Sequence, residues 1–181
     1  MIKEISVRPK AQNNNSKILM SVFFALAAVA LVISMTVESY RGVIGLVAVA
    51  FLVSAILVYT KYVSISFLYD VMIDSDGEPL FVVRQLVGKR EVTLCRVSLS
   101  DVKSVEKESA AERKSHVTER GVSRYVYAPT LSPSVSYRIT VANRYERSEI
   151  IVEGSEEFMN LLLEYSNEAR EARAAEEDNQ E

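Results

Sequence analysis

Two apolar runs stand nearly back to back close to the start of the chain, at 18–37 and 42–60, and neither contains a charged residue. A helix rises about 1.5 Å per residue, so about 20 residues cover the roughly 30 Å hydrocarbon core of a bilayer. A soluble core helix is expected to break such a run with polar residues at helical spacing. The expectation is a membrane-spanning α-helical hairpin, and everything else in the chain has to be arranged around it. No Asp, Glu, Lys, Arg or His lies inside either run, so neither carries an ion site, proton relay or voltage sensor. Such a hairpin reads as an anchor, not a channel.

Charge sets the expected orientation. Residues 1–17 carry Lys3, Arg8, Lys10 and Lys17 against Glu4, whereas the connection Glu38-Ser39-Tyr40-Arg41 is balanced. Basic residues stay on the cytoplasmic side, which predicts a multi-pass protein of the cell membrane with both termini cytoplasmic. Tyr40 at one interface, and Lys17, Tyr59, Lys61 and Tyr62 at the other, are expected to anchor the hairpin at headgroup depth. The connection is too short for anything but antiparallel packing. Ala25, Ala27, Ala28 and Ala30 on one helix and Gly42, Gly45, Ala48 and Ala50 on the other offer the small-residue faces that permit it.

Outside the hairpin the pattern changes period. Residues 1–17 form a cytoplasmic segment in which Ile2, Ile5 and Val7 suggest a short edge strand, followed by a polar linker. After Thr60, the residues Val63, Ile65, Phe67, Tyr69, Val71 and Ile73 alternate, which places them on one face of a long strand. Asp76-Gly77 signals a hairpin turn into a second strand at 80–87. Gly88-Lys89-Arg90 turns into a third at 91–97, and a fourth follows at about 101–107. The polar stretch 108–121 reads as a mobile loop. A fifth strand at 122–128, a sixth through Val135, Tyr137, Ile139 and Val141, and a seventh through Ser148, Ile150 and Val152 complete the β-rich part. Asn143 to Glu146 forms the last turn. Ser155 then caps a helix whose apolar stripe is Phe158, Leu161, Leu162 and Tyr165. Residues 166–181 keep helix formers but lose the stripe, and read as an exposed acidic helical extension or a disordered tail.

Seven antiparallel strands capped by one C-terminal helix, over 62–165, resemble the pleckstrin-homology (PH) fold. The Asp-Gly hairpin, LSDVKSVEK at 99–107 and EGSEEFMNLL at 153–162 look like bacterial PH-like domains that sit behind two membrane helices. The fold class expected is therefore a membrane helical hairpin followed by a mainly-β, α+β PH-like domain. Phosphoinositide-binding members of that family place lysines and arginines around the first hairpin. Here that turn carries Asp74, Asp76 and Glu78 and no base, so phosphoinositide recognition is not implied.

Nothing in the chain points to catalysis, a metal or a cofactor. His116 is the only histidine and Cys95 the only cysteine, which excludes an intrachain disulfide. His116 is expected at the surface and Cys95 within the sheet. From Lys61 onward there are 16 basic and 22 acidic residues, a net of −6, the wrong sign for holding nucleic acid. A small-molecule substrate is likewise not expected. Tyr125, Tyr127 and Tyr137 form the one aromatic concentration and are the candidate partner groove. The function expected is a non-catalytic, membrane-anchored interaction or scaffold module that docks a membrane protein or self-associates beside the lipid bilayer. The alternative is a sensor of lipid headgroups or of membrane state.

Overall fold

The computed structural model describes residues 2–116, 120–143 and 146–178. Strand β1 (Ile5–Val7) precedes two long helices, α1 (Asn15–Thr36) and α2 (Arg41–Val58), which are joined by a single 3-10 turn at Glu38–Tyr40. Both helices are long and apolar enough to cross a membrane. Large side chains such as Met35, Val43 and Leu46 point outward, while Ala27, Ala30, Ala48 and Ala55 are buried between the helices. The contact residues on α1 recur at Phe23, Ala27, Ala30 and Ser34, and on α2 at Ile44, Ala48, Phe51 and Ala55. This alternation of three and four is the spacing of a close antiparallel pair. Phe23 and Phe51 stack across the interface with ring centroids 6.2 Å apart. Ala25, Ala28, Gly42 and Ala50, expected at this seam, lie on the outer faces instead. Helical phase puts them one or two residues away from the contact stripe.

A π-type turn (Tyr59–Val63) and the single residue Ser64 separate α2 from β2 (Ile65–Ile73). β3 (Pro79–Val87) and β4 (Arg90–Ser98) continue an antiparallel meander, and β1 pairs with β2 at the other edge, Ile5 opposite Val71. The first sheet is thus ordered β1-β2-β3-β4. Because β1 belongs to it, the helical hairpin is an insertion between two neighbouring strands of one sheet. The chain leaves the domain and returns to it at adjacent points. Gly77 takes φ +82° in the β2–β3 turn, a conformation that glycine adopts without strain.

The second sheet is ordered β5-β7-β8-β6, with β5 at Val102–Ser109, β6 at Val122–Tyr127, β7 at Val135–Ala142 and β8 at Arg147–Val152. This corrects the expectation of seven antiparallel strands. There are two four-stranded sheets among the described residues, and β6 runs parallel to β8. β6 does not follow β5 as a hairpin partner. The chain crosses from one edge of the sheet to the other, through helix α3 (Ala110–Ser115), and so arrives in the parallel sense. Part of the stretch expected as a loop, Glu108 to Ser115, is therefore strand and helix. Glu108 and Ser109 finish β5, and Ser109 and Glu112 form a reciprocal capping box at the start of α3. Residues 117–119 of that stretch, 144–145 of the last turn and 179–181 of the tail lie outside the described residues.

The sheets close on a core that contains Tyr69, Phe81, Leu99, Ile139 and Ile150, capped by α4 (Glu156–Asp178) through Phe158, Met159, Leu162 and Tyr165. Burying one such leucine stabilises the fold by roughly 2–3 kcal/mol. Of the two readings of 166–181, the helical extension holds as far as Asp178, exposed over 171–175 but packed against the domain at its start. α4 continues to Asp178, Ser166 and Ala169 are buried, and Arg173 reaches Ser100 and Asp101. The apolar stripe persists, but in small residues that lie close against the turn at Leu99–Asp101.

Candidate docking groove

Among the described residues each sheet has two strands with a single neighbour, β1 and β4 in the first and β5 and β6 in the second, and β4 and β6 border one cleft. An edge strand leaves every other backbone N–H and C=O without a ladder partner. Between these edges runs a cleft of about 360 Å3, walled by Leu94, Cys95 and Ser98 on β4 and by Tyr125 and Tyr127 on β6, with Ile150 on its floor. Two features of the sequence shape it. The β3–β4 register slips between Val83 and Arg84, so that Cys95 and Thr93 face consecutive residues and Leu94 is the extra one. A bulge of this kind bends and twists the strand that carries it. On the other wall, Tyr125 and Tyr127 lie two residues apart on one face of β6, with rings stacked at 6.2 Å and 6°. Tyr127 is held from below by Phe67, at 6.3 Å.

The three tyrosines expected to form one groove divide here. Tyr137 is buried on β7 and stands opposite Val152, which in turn stands opposite Tyr127. Two strand spacings, about 10 Å, separate them. Tyr137 is a core residue, and Tyr125 and Tyr127 alone reach the cleft. Cys95, placed in the sheet by sequence, sits half-buried on the cleft wall, and burial pushes its thiol above the ordinary value. Leu94, Ser98 and the β4 edge carried no sequence signal for this role, because nothing in a strand's own residues says which of its sides lacks a neighbour.

The groove is tied to the helical hairpin by a polar relay. In the linker before α1, the Gln12 backbone N–H donates to Thr130 Oγ1 (2.9 Å), and the Gln12 side-chain oxygen accepts from Ser134 N (3.0 Å) and Oγ (2.7 Å). Asn13 Nδ2 donates to the carbonyl of Ser132 (3.1 Å). Thr130, between β6 and β7, donates its N–H to Glu153 Oε1 (2.8 Å) and its hydroxyl to Glu153 Oε2 (2.7 Å). Glu153 N donates to the Tyr69 hydroxyl (3.3 Å), which donates to the carbonyl of Tyr127 (2.5 Å) on the groove wall. Glu153 is 1 % exposed. Burial raises its carboxyl above the ordinary range, and the two Thr130 hydrogen bonds offset part of the shift. Burial also raises the Tyr69 hydroxyl, keeping it a neutral donor.

The residues expected at the interfaces lie at the hairpin ends. Lys17 is in the first turn of α1, Tyr40 is in the 3-10 turn, and Tyr59, Lys61 and Tyr62 are in the π-type turn after α2. Lys61 Nζ lies 5.5 Å from the centroid of the Tyr62 ring.

His116, expected at the surface, is half-buried and has partners there. As the chain crosses the outer face of the second sheet, its Nε2 comes within 3.0 Å of Glu149 Oε1, and Arg138 Nη1 lies against the ring. Arg138 also bonds Glu106 (2.5 Å) and approaches the buried Glu108 (3.3 Å). A cationic hub among three carboxylates clamps the crossover onto the sheet. Among the described residues no group of three or more His, Cys, Asp or Glu side chains is arranged to hold a metal ion.

No protein-family model, no curated protein and no solved structure matches the chain.

Proposed function

We propose that the protein is a membrane-anchored, non-catalytic docking module of PH-like architecture. In this reading it sits on the cytoplasmic face of the cell membrane with both termini on that side, and the β4–β6 groove takes an extended segment of a membrane-protein partner. The observation that carries the proposal is the pair of unpaired strand edges facing each other across a cleft with an aromatic wall. An added strand supplies backbone hydrogen bonds to such an edge, and its alternate side chains gain contact with the wall. Two sheets capped by a C-terminal helix support the PH-like reading. The basic segment before α1 supports the orientation. The single residue between the membrane turn and β2, together with the Gln12–Thr130 tether, keeps the groove beside the bilayer, where the juxtamembrane segments of membrane proteins are found.

The test is a photo-crosslinking residue in place of Tyr125 in the full-length protein in native membranes, with the same residue at the exposed Lys103 as a control. The proposal expects crosslinks from position 125, and not from 103, into a segment adjoining a transmembrane helix of one partner. Crosslinks of equal yield from both positions, or only to lipid, would overturn it.

A further inference from the structure

At the membrane end of the domain, the turn after α2 and the β6–β7 connection enclose a second cleft of about 420 Å3, within the size range of small-ligand sites. Its inner wall is apolar, built from Ile65, Phe67, Val126 and Leu131. Val126, 61 % exposed, adds an uncovered apolar side chain to this wall. The charged residues lining this cleft are Lys61 and Arg113, and no described carboxylate lines it. In a region that nets −6 after Thr60, two cations without an acid form a local reversal of sign. The other clefts carry acids: Glu4 and Asp70 in one, Asp76, Glu78 and Glu168 in another. Arg113 spends two of its donors on neutral acceptors, Ser136 Oγ and the carbonyl of Pro133, both at 2.7 Å. These bonds fix the guanidinium beside the cleft without neutralising it. The Glu153 carboxylate, which feels this charge, lies behind the wall and is already bonded by Thr130.

Position selects the ligand. Lys61 and Tyr62 continue α2 directly, so the cleft opens where an apolar membrane-length helix gives way to polar chain, at the depth of lipid headgroups. We propose that this cleft holds one anionic glycerophospholipid, its phosphodiester between Lys61 and Arg113 and the upper part of an acyl chain against Phe67 and Val126. A soluble anion would meet the two cations but leave the apolar wall uncovered. The site lies at the opposite end of β2 from the acidic turn at 74–78, and it neither requires nor occupies the far part of the β4–β6 groove.

The experiment uses the full-length protein in nanodiscs that contain either phosphatidylglycerol or phosphatidylcholine with a diazirine high on one acyl chain. After photolysis, labelled peptides are mapped. The glycerol lipid is expected to label the segment holding Val126 and Leu131, at about five times the yield of the choline lipid or more. Lys61→Gln, at an exposed side chain, lowers that yield by about fivefold. Val126→Glu, also exposed, abolishes it with both cations intact. Equal labelling by the two lipids, labelling confined to α1 and α2, or displacement of the lipid by millimolar glycerol phosphate would each overturn the proposal.

Discussion

Replacing Thr130 by valine removes one hydroxyl with almost no change of shape and severs the relay at its centre. In the native structure that hydroxyl donates to Glu153 Oε2 and accepts from the Gln12 N–H, and Thr130 is 3 % exposed. The variant leaves a buried carboxylate oxygen without its donor, while Thr130 N still serves the other oxygen. Depriving a buried charged acceptor of its partner costs about 2–3 kcal/mol. At this domain size about 1 kcal/mol shifts the melting midpoint by roughly 4 °C, so a fall of about 8–12 °C is expected at pH 7. Near-ultraviolet circular dichroism of the tyrosines in detergent-solubilised full-length protein reads the transition. The loss also depends on pH, because the neutral carboxyl has less need of the bond. It should shrink as Glu153 takes up its proton and become small in the double variant with Glu153→Gln. A loss under about 0.5 kcal/mol, or one that is the same at every pH, would refute the relay.

Glu153 itself predicts a pH dependence. Its folded carboxyl binds a proton more tightly than the unfolded one, so its contribution is most favourable below the ordinary value of 4.5 and is lost as pH rises through the raised value. The melting difference between Glu153→Gln and wild type should therefore widen in favour of the variant from acid to neutral pH. A flat difference would contradict the burial argument. Arg138→Met leaves Glu106, Glu108 and Glu149 facing one another without their shared cation and should cost about 3–5 kcal/mol. An unchanged denaturant midpoint would dismiss the clamp. Ile139→Asp or Phe158→Asp places a charge in the closed core and should abolish cooperative unfolding of the domain, whereas the helicity of α1 and α2 persists in detergent.

The elements that sequence identified are those whose signal is local and repeated. Twenty apolar residues without a charge admit few readings, and the alternation through Phe67, Tyr69 and Val71 fixes a core face whatever lies opposite. What escaped depends on partners distant in the chain. The capping box Ser109-x-x-Glu112 was present as a helix signal, but the helix it opens is only six residues long, Ala110–Ser115, with no apolar stripe for periodicity to register. The parallel pairing of β6 is a property of the crossover and leaves no mark within residues 122–127. Tyr137 and Tyr127 have the same strand chemistry, and only the order β7-β8-β6 puts one in the core and the other at an edge. The helical extension past Tyr165 was legible, but its docking was not, because Ser166 and Ala169 cover a surface without being hydrophobic enough to announce it. The candidate groove belongs to this second kind. Its aromatic wall was visible in sequence, but its position between two open edges was not.

Cys95, the only cysteine, stands on the groove wall and reports directly on whether the groove is occupied. The measurement is its rate of alkylation by a maleimide in native membranes and in the purified full-length protein in nanodiscs of the same lipids. A cysteine introduced at the exposed Glu157 serves as the reference. Occupancy by a partner predicts that Cys95 reacts about tenfold more slowly in native membranes while the reference is unchanged. Equal rates for Cys95 in the two preparations would contradict a docking groove between β4 and β6.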